Sequence, residues 1–175
     1  MDKQTIQRFK QIYELERFMI AFCMSQLSST EDKFYHLVFS KIVETEKKHA
    51  RFFANKLAEN DISVPRLTAN IAKLAGSIMG EALELSGPTI TCKTGVAVGK
   101  KLLIAYHELL QDITKDPEIA ELEEKFLLFL LEEEFHTLWL KNYAERLKQK
   151  EYSKNSLIMD DINNHPTLNV NMRWI

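Results

Sequence analysis

Two stretches far apart in the chain repeat the same lane of side chains. Phe39, Ile42, Glu46, His49 and Phe53 advance by steps of three and four, and Phe126, Phe129, Glu133, His136 and Leu140 take the same steps 87 residues later. Such steps keep all five positions on one face of an α-helix. Each helix therefore carries a glutamate and a histidine one turn apart among bulky apolar residues, and both lanes are expected to face the core. An ionised carboxylate buried without a partner is costly, so a chain that sinks two Glu–His pairs must neutralise them. A metal ion does this well, and the shared flanking residues argue against a chance pair of matches.

A third carboxylate is expected opposite these pairs. In an antiparallel hairpin, positions equidistant from the turn lie at equal depth, and a turn centred near Glu31 sets Glu46 level with residue 16. Tyr13, Ile20, Cys23 and Leu27 extend the Glu16 lane inward, whereas Glu14 reads as a solvated face. Glu132 and Glu134 lie about 100° to either side of Glu133, which makes them solvent-facing or boundary charges, and Glu44 similarly flanks Glu46. The candidate metal ligands are thus Glu16, Glu46, His49, Glu133 and His136.

The chain offers these lanes long, uninterrupted helices. Only 5 Gly and 4 Pro occur among 175 residues, and Pro65, Gly87, Pro88 and Pro117 divide the chain into long segments of helical period. The pattern predicts helices over about Lys3–Gln26, Asp32–Asn60, Arg66–Leu85 and Lys93–Thr114, then one opening at Pro117 and reaching Lys150. Ser29 or Thr30 would cap the second. Four long helices and one connecting helix make an all-α antiparallel bundle with a crossover, spanning residues 1–150. In the tail, 151–175, Leu168, Val170, Met172 and Trp174 alternate with polar residues, the period of an extended segment. It would pack on its own bundle or dock on a partner subunit.

Composition narrows the function classes. With 23 basic against 25 acidic side chains the formal net charge is −2, and no basic footprint points to nucleic acid or an anionic membrane. The N-terminus MDKQTIQRFKQ has no apolar core of a leader, and no apolar run reaches the length of a membrane span, so a cytoplasmic location is expected. Cys23 and Cys92 form no C-x-x-C pair and read as buried thiols rather than a disulfide, zinc or rubredoxin-type site.

The set Glu16, Glu46-x-x-His49 and Glu133-x-x-His136 resembles the ligands of ferritin-like di-iron carboxylate proteins, most closely the rubrerythrin-related branch. The stretch RFMIAFCMSQLSSTEDKFYHLVFSKIVETEKKHARFF is similar to the first hairpin of rubrerythrin-like domains, including the erythrin-type domains of some iron transporters. LTANIAKLAGSIMGEALELSG resembles the insertion between hairpins in demethoxyubiquinone hydroxylases. The resemblance implies a ferritin-like fold, glutamates that bridge two irons or manganese ions, one histidine per metal, and chemistry on dioxygen or peroxide. Without a rubredoxin-like cysteine quartet, reduction would need a separate electron donor.

The third long helix departs from that pattern. The family places a further carboxylate there, but the position level with Glu133, counted from a turn at Asp116–Pro117, is Lys100, the 87-residue offset from Glu16 gives Leu103, and no Asp or Glu occurs between Thr91 and His107. Glu108 or His107 would reach the site only by a shift of the helix, and otherwise read as a surface charge and a hydrogen-bonded core histidine. Three readings stay open: a rubrerythrin-like enzyme with water, His107 or Glu108 filling the gap; a single-metal binding or sensing protein; and a metal-free structural bundle in which Lys100 neutralises the carboxylates. Phe34, Leu37, Phe52 and Phe53 suggest a homodimer formed by bundle-to-bundle packing.

Overall fold

The computed structural model describes residues 1–29, 33–65, 88–113 and 119–156, and everything described is helix, turn or connecting coil. The long helices are α1 (Lys3–Ser29), α2 (Lys33–Ala58), α3 (Pro88–Ile113) and α4 (Glu123–Ser156), with a 3₁₀ turn at Ala120–Leu122. The expected connecting helix, Arg66–Leu85, and the alternating residues Leu168 to Trp174 lie outside the described residues.

Several boundaries differ from the sequence reading, each for a local reason. α1 runs on to Ser29 because its serines bond back along the helix, Ser25 Oγ donating to the Phe22 carbonyl at 2.7 Å and Ser28 Oγ to that of Ser25 at 2.8 Å. Hydroxyls satisfied in this way are tolerated in a last turn. α2 stops at Ala58 in a Schellman-type closure: Ile62 N–H donates to Leu57 O at 2.9 Å and Asp61 N–H to Ala58 O at 3.0 Å. Asp61 takes φ 58°, the left-handed conformation this closure requires. α3 opens at Pro88, whose fixed φ and missing N–H suit a first helical position. α4 begins at Glu123 rather than Pro117, after the 3₁₀ turn, with Glu123 and Glu124 at its positive end. It continues to Ser156, past the boundary at Lys150.

α1 packs along α2, α3 along α4, and α1 against α3, while the backbones of α2 and α4 lie farther apart and meet through long side chains, Tyr35 and Phe39 on Trp139 and Phe53 on Phe126. Side-chain pairs fix the directions. Phe9 meets Phe53, and Glu16 meets His49, so α1 and α2 are antiparallel. Tyr106 meets Phe129 while a Cβ at Gly99 would meet Thr137, so α3 and α4 are antiparallel too. Gly95 faces Phe22 and Tyr106 faces Glu16, which sets α3 against α1 and hence parallel to α2. The chain between α2 and α3 therefore joins opposite ends of the helix group.

Aromatic layers bracket the middle of the core. Toward the start of α1, Phe9, Phe53 and Phe126 have centroids 5.1 to 5.9 Å apart and are fully buried. At the opposite end, Tyr35, Phe39, Trp139 and Tyr143 interlock, Trp139 and Tyr143 stacked at 5.2 Å. Burying each such ring stabilises the fold by about 1.5–3 kcal/mol. Of the residues considered for a dimer, Phe53 belongs to this core and Phe52 is half-buried against Phe126 and Phe129, whereas Phe34 and Leu37 are exposed. No helix among the described residues is long and apolar enough to cross a membrane.

α3 and α4 approach so closely at Gly99 that an added Cβ would collide with Thr137 Oγ1. Alanine raises helix propensity by about 1 kcal/mol over glycine, whereas overpacking a close helix contact costs about 1–3 kcal/mol. Gly99→Ala should therefore lower the urea midpoint, and Gly99→Ala combined with Thr137→Ala should recover part of the loss. An unchanged midpoint in the single variant would show that the helices separate freely there.

Candidate metal centre

Between the aromatic layers, three helices contribute charged side chains to one level. α1 brings Glu16, α2 brings Glu46 and His49, and α4 brings Glu133. Their relative exposures are 0%, 0%, 1% and 0%, although glutamate is almost never fully buried unless paired. One donor atom from each of these four lies within 4.8 Å of all the others. His136, 12% exposed at its side chain, borders the group, with Nδ1 2.9 Å from Glu46 Oε1 and 3.5 Å from Glu133 Oε1. Glu14, two residues from Glu16 and turned away from it, is half-buried.

His49 ties the helices together. Its Nδ1 lies 3.2 Å from Glu133 Oε1 and 3.4 Å from Glu16 Oε1, near enough for ion pairing but misaligned for a hydrogen bond. Its ring packs on Phe129 at 4.1 Å. Its Nε2 points the other way, to Glu132 Oε2 at 2.7 Å. Glu132 thus has a partner in the site layer that the sequence reading, which took it as a boundary or solvent charge, did not supply. The angular offset from Glu133 was legible; which helix lies on that side was not.

α3 contributes a phenol where the sequence reading weighed Lys100, Leu103, His107 and Glu108. Tyr106 is fully buried and donates its hydroxyl to Glu16 Oε1 at 2.6 Å. The inward lane of α3 is Val98, Leu102, Tyr106, Leu109 and Ile113. Lys100 and His107 lie about 120° and 100° from Tyr106 around the helix, and both are exposed. Lys100 therefore does not neutralise the buried carboxylates, and His107 is not a core histidine. Glu108 is engaged by Arg8, which also reaches Asp112 at 3.4 Å, on the seam of α1 and α3. The apolar spacing of α3 was the signal that could have found Tyr106.

Crowded carboxylates in a dry layer cannot all carry charge independently. Burial, then the neighbouring charges of Glu133 and Glu16, push Glu46 well above the usual carboxylate range. Burial also opposes ionisation of Glu133, but the close approach of the His136 and His49 rings outweighs it and holds Glu133 down at about 2. For His49, burial disfavours the cation, yet the Glu133 and Glu16 carboxylates raise it to about 10. Tyr106 is raised well above its usual range by burial and by Glu16, which keeps it a neutral donor. Cys23 and Cys92 are free and buried; burial raises Cys23 strongly and pushes Cys92 up to about 12, so neither supplies a thiolate at neutral pH.

The donor set fits a divalent ion. Glu16 Oε2, Glu46 Oε2, both oxygens of Glu133 and His49 Nδ1 are buried without a hydrogen-bond partner, and buried polar atoms are rarely left so. Bonds of about 2.1 Å place opposite ligands about 4.2 Å apart, so the 4.8 Å group needs only a small contraction. Carboxylates with imidazole suit iron or manganese. Comparisons with protein-family models, curated proteins and solved structures give no match.

The sign of one linkage follows directly. A carboxyl group whose pKa is higher folded than unfolded weakens the fold as pH rises from its unfolded value, about 4.3, through its folded one. Glu46 is such a group. In metal-free protein, Glu46→Gln should raise the thermal midpoint at pH 7 and flatten its decline between pH 5 and 8. A midpoint lower than wild type throughout would show that Glu46 is held ionised by its neighbours.

Proposed function

We propose that the protein is a metal-binding helical bundle of the ferritin-like, rubrerythrin-related kind, its centre built from Glu16, Glu46, His49 and Glu133, with His136 beside it. The observation that carries this reading is the four-donor group itself, drawn from three helices, fully buried and rich in atoms that lack a donor. A fold gains nothing from stacking three buried glutamates unless something positive sits between them.

Iron or manganese bound here would supply electron exchange with dioxygen or peroxide, the activity proposed for the centre. The chain's own part is to hold and shield. Glu16 is oriented by the Tyr106 hydroxyl, Glu133 sits between the two histidines, and Phe129 and Phe53 close the layer against water. Because Tyr106 occupies the inward position of α3, no carboxylate from that helix joins the set. This favours one tightly held ion over a symmetric pair. With two cysteines rather than a rubredoxin-like quartet, electrons would come from a separate donor, and exposed Phe34 and Leu37 leave an apolar surface for the proposed homodimer.

A metal-free structural role is the second reading, and a specific observation favours it. A protonated Glu46, a cationic His49 and an ionised Glu133 together already neutralise much of the layer. Metal analysis separates the two. Protein from iron-supplemented cells should hold close to one iron or manganese per chain, and Glu133→Ala or His49→Ala should lower this at least tenfold while the helical signal persists. Wild-type protein that neither arrives with metal nor takes up Fe²⁺ or Mn²⁺ at micromolar concentration would establish the structural reading.

A further inference from the structure

The two histidines of the repeat are not held alike. His49 turns Nδ1 toward Glu16 and Glu133, at 3.4 and 3.2 Å, and Nε2 toward Glu132 at 2.7 Å. A carboxylate only accepts, so Nε2 carries a proton held by Glu132, and Nδ1 is the nitrogen that faces the donor group, where an ion would displace its proton. Close packing against Phe129, the rings tilted by 36° with centroids 4.1 Å apart, restricts the ring as well. His136 instead presents Nδ1 to Glu46 Oε1 at 2.9 Å. The residue 87 positions before Glu132, where the repeat would place a matching carboxylate, is Thr45, too short to play the same part.

We propose that Glu132 is a positioning residue: by holding the Nε2–H of His49 it presents Nδ1 to the ion, so that the Glu16–His49–Glu133 side of the centre fills first and binds more tightly than the His136 side. The inference rests on the metal-binding reading above and adds an order of filling to it. Glu132 is itself no ligand, since its carboxylate lies across the imidazole from the donor group, and its side chain is 38% exposed. Outer carboxylates of this kind fix the ring orientation and increase its basicity, and their loss typically costs about 10–100-fold in metal affinity.

The inference is tested by two measurements on the full chain, wild type, Glu132→Leu and Glu132→Gln. The first is ¹⁵N–¹H spectroscopy of the His49 ring, assigned by its loss in His49→Asn, in metal-free and Zn²⁺-loaded protein. The second is Mn²⁺ titration. In wild type the His49 Nε2–H should be protected from exchange in both states, and Zn²⁺ should shift Nδ1 ahead of any change at His136. Glu132→Leu should lose that protected proton and bind the first Mn²⁺ about 10–100-fold more weakly, with its helical signal retained. Glu132→Gln, which keeps an acceptor, should fall between. Wild-type-like Mn²⁺ affinity in Glu132→Leu, or Zn²⁺ shifting His136 first, would overturn the positioning role while leaving the metal centre intact. Wild type that binds neither ion would overturn the metal centre itself.

Discussion

Three glutamates and a histidine with almost no solvent contact occupy one level of the core, and the rest of the molecule is arranged around that demand. At such separations, charges in a medium of low polarity interact strongly, and each must be met by an opposite charge, a proton or an ion. The protein meets it with partners from every helix. His49 from α2 stands between Glu16 of α1 and Glu133 of α4, His136 of α4 approaches Glu46 of α2, and Tyr106 of α3 caps Glu16.

That requirement also explains the aromatic packing. Hydrogen bonds and ion pairs strengthen where water is excluded, and the Phe9, Phe53 and Phe126 layer on one side and the Tyr35, Phe39, Trp139 and Tyr143 layer on the other exclude it. The rings also resist collapse of the charged layer. Between those layers the bonds His49–Glu132 and Glu46–His136 cross from α2 to α4. The same groups that could hold an ion also hold the bundle together without one.

The contrast between Glu132 and Lys100 shows where reading from sequence stops. Glu132 was assigned by rotation about a single helix axis, Lys100 by counting residues from a turn. For Lys100 the level was counted from a turn at Asp116 and Pro117, whereas the described helix ends at Ile113 and the next begins at Glu123. Counting along a loop of unknown shape loses the register, and a helix rotated by about 100° exchanges its inward residue for its neighbour. The apolar lane of α3 keeps the register without the loop, and that lane leads to Tyr106. Glu132 is the boundary charge expected of it, its side chain 38% exposed, but its partner was not legible, because what a residue at the edge of a buried lane meets depends on which helix lies beside it.

The sequence by itself determined the four long helices, the antiparallel first hairpin and the shared depth of Glu16, Glu46, His49, Glu133 and His136, because periodicity of three and four and burial of apolar lanes can be read along each helix. Tertiary structure alone decided that one donor atom each from Glu16, Glu46, His49 and Glu133 converges within 4.8 Å, that His136 stands at the edge of that group, and that a tyrosine rather than a lysine or an acid faces it from α3. Those outcomes depend on the rotation and approach of separate helices, which are set by how whole surfaces interlock: close contact at Gly99, rings stacked at either end, and a charged layer that tolerates no gap between them.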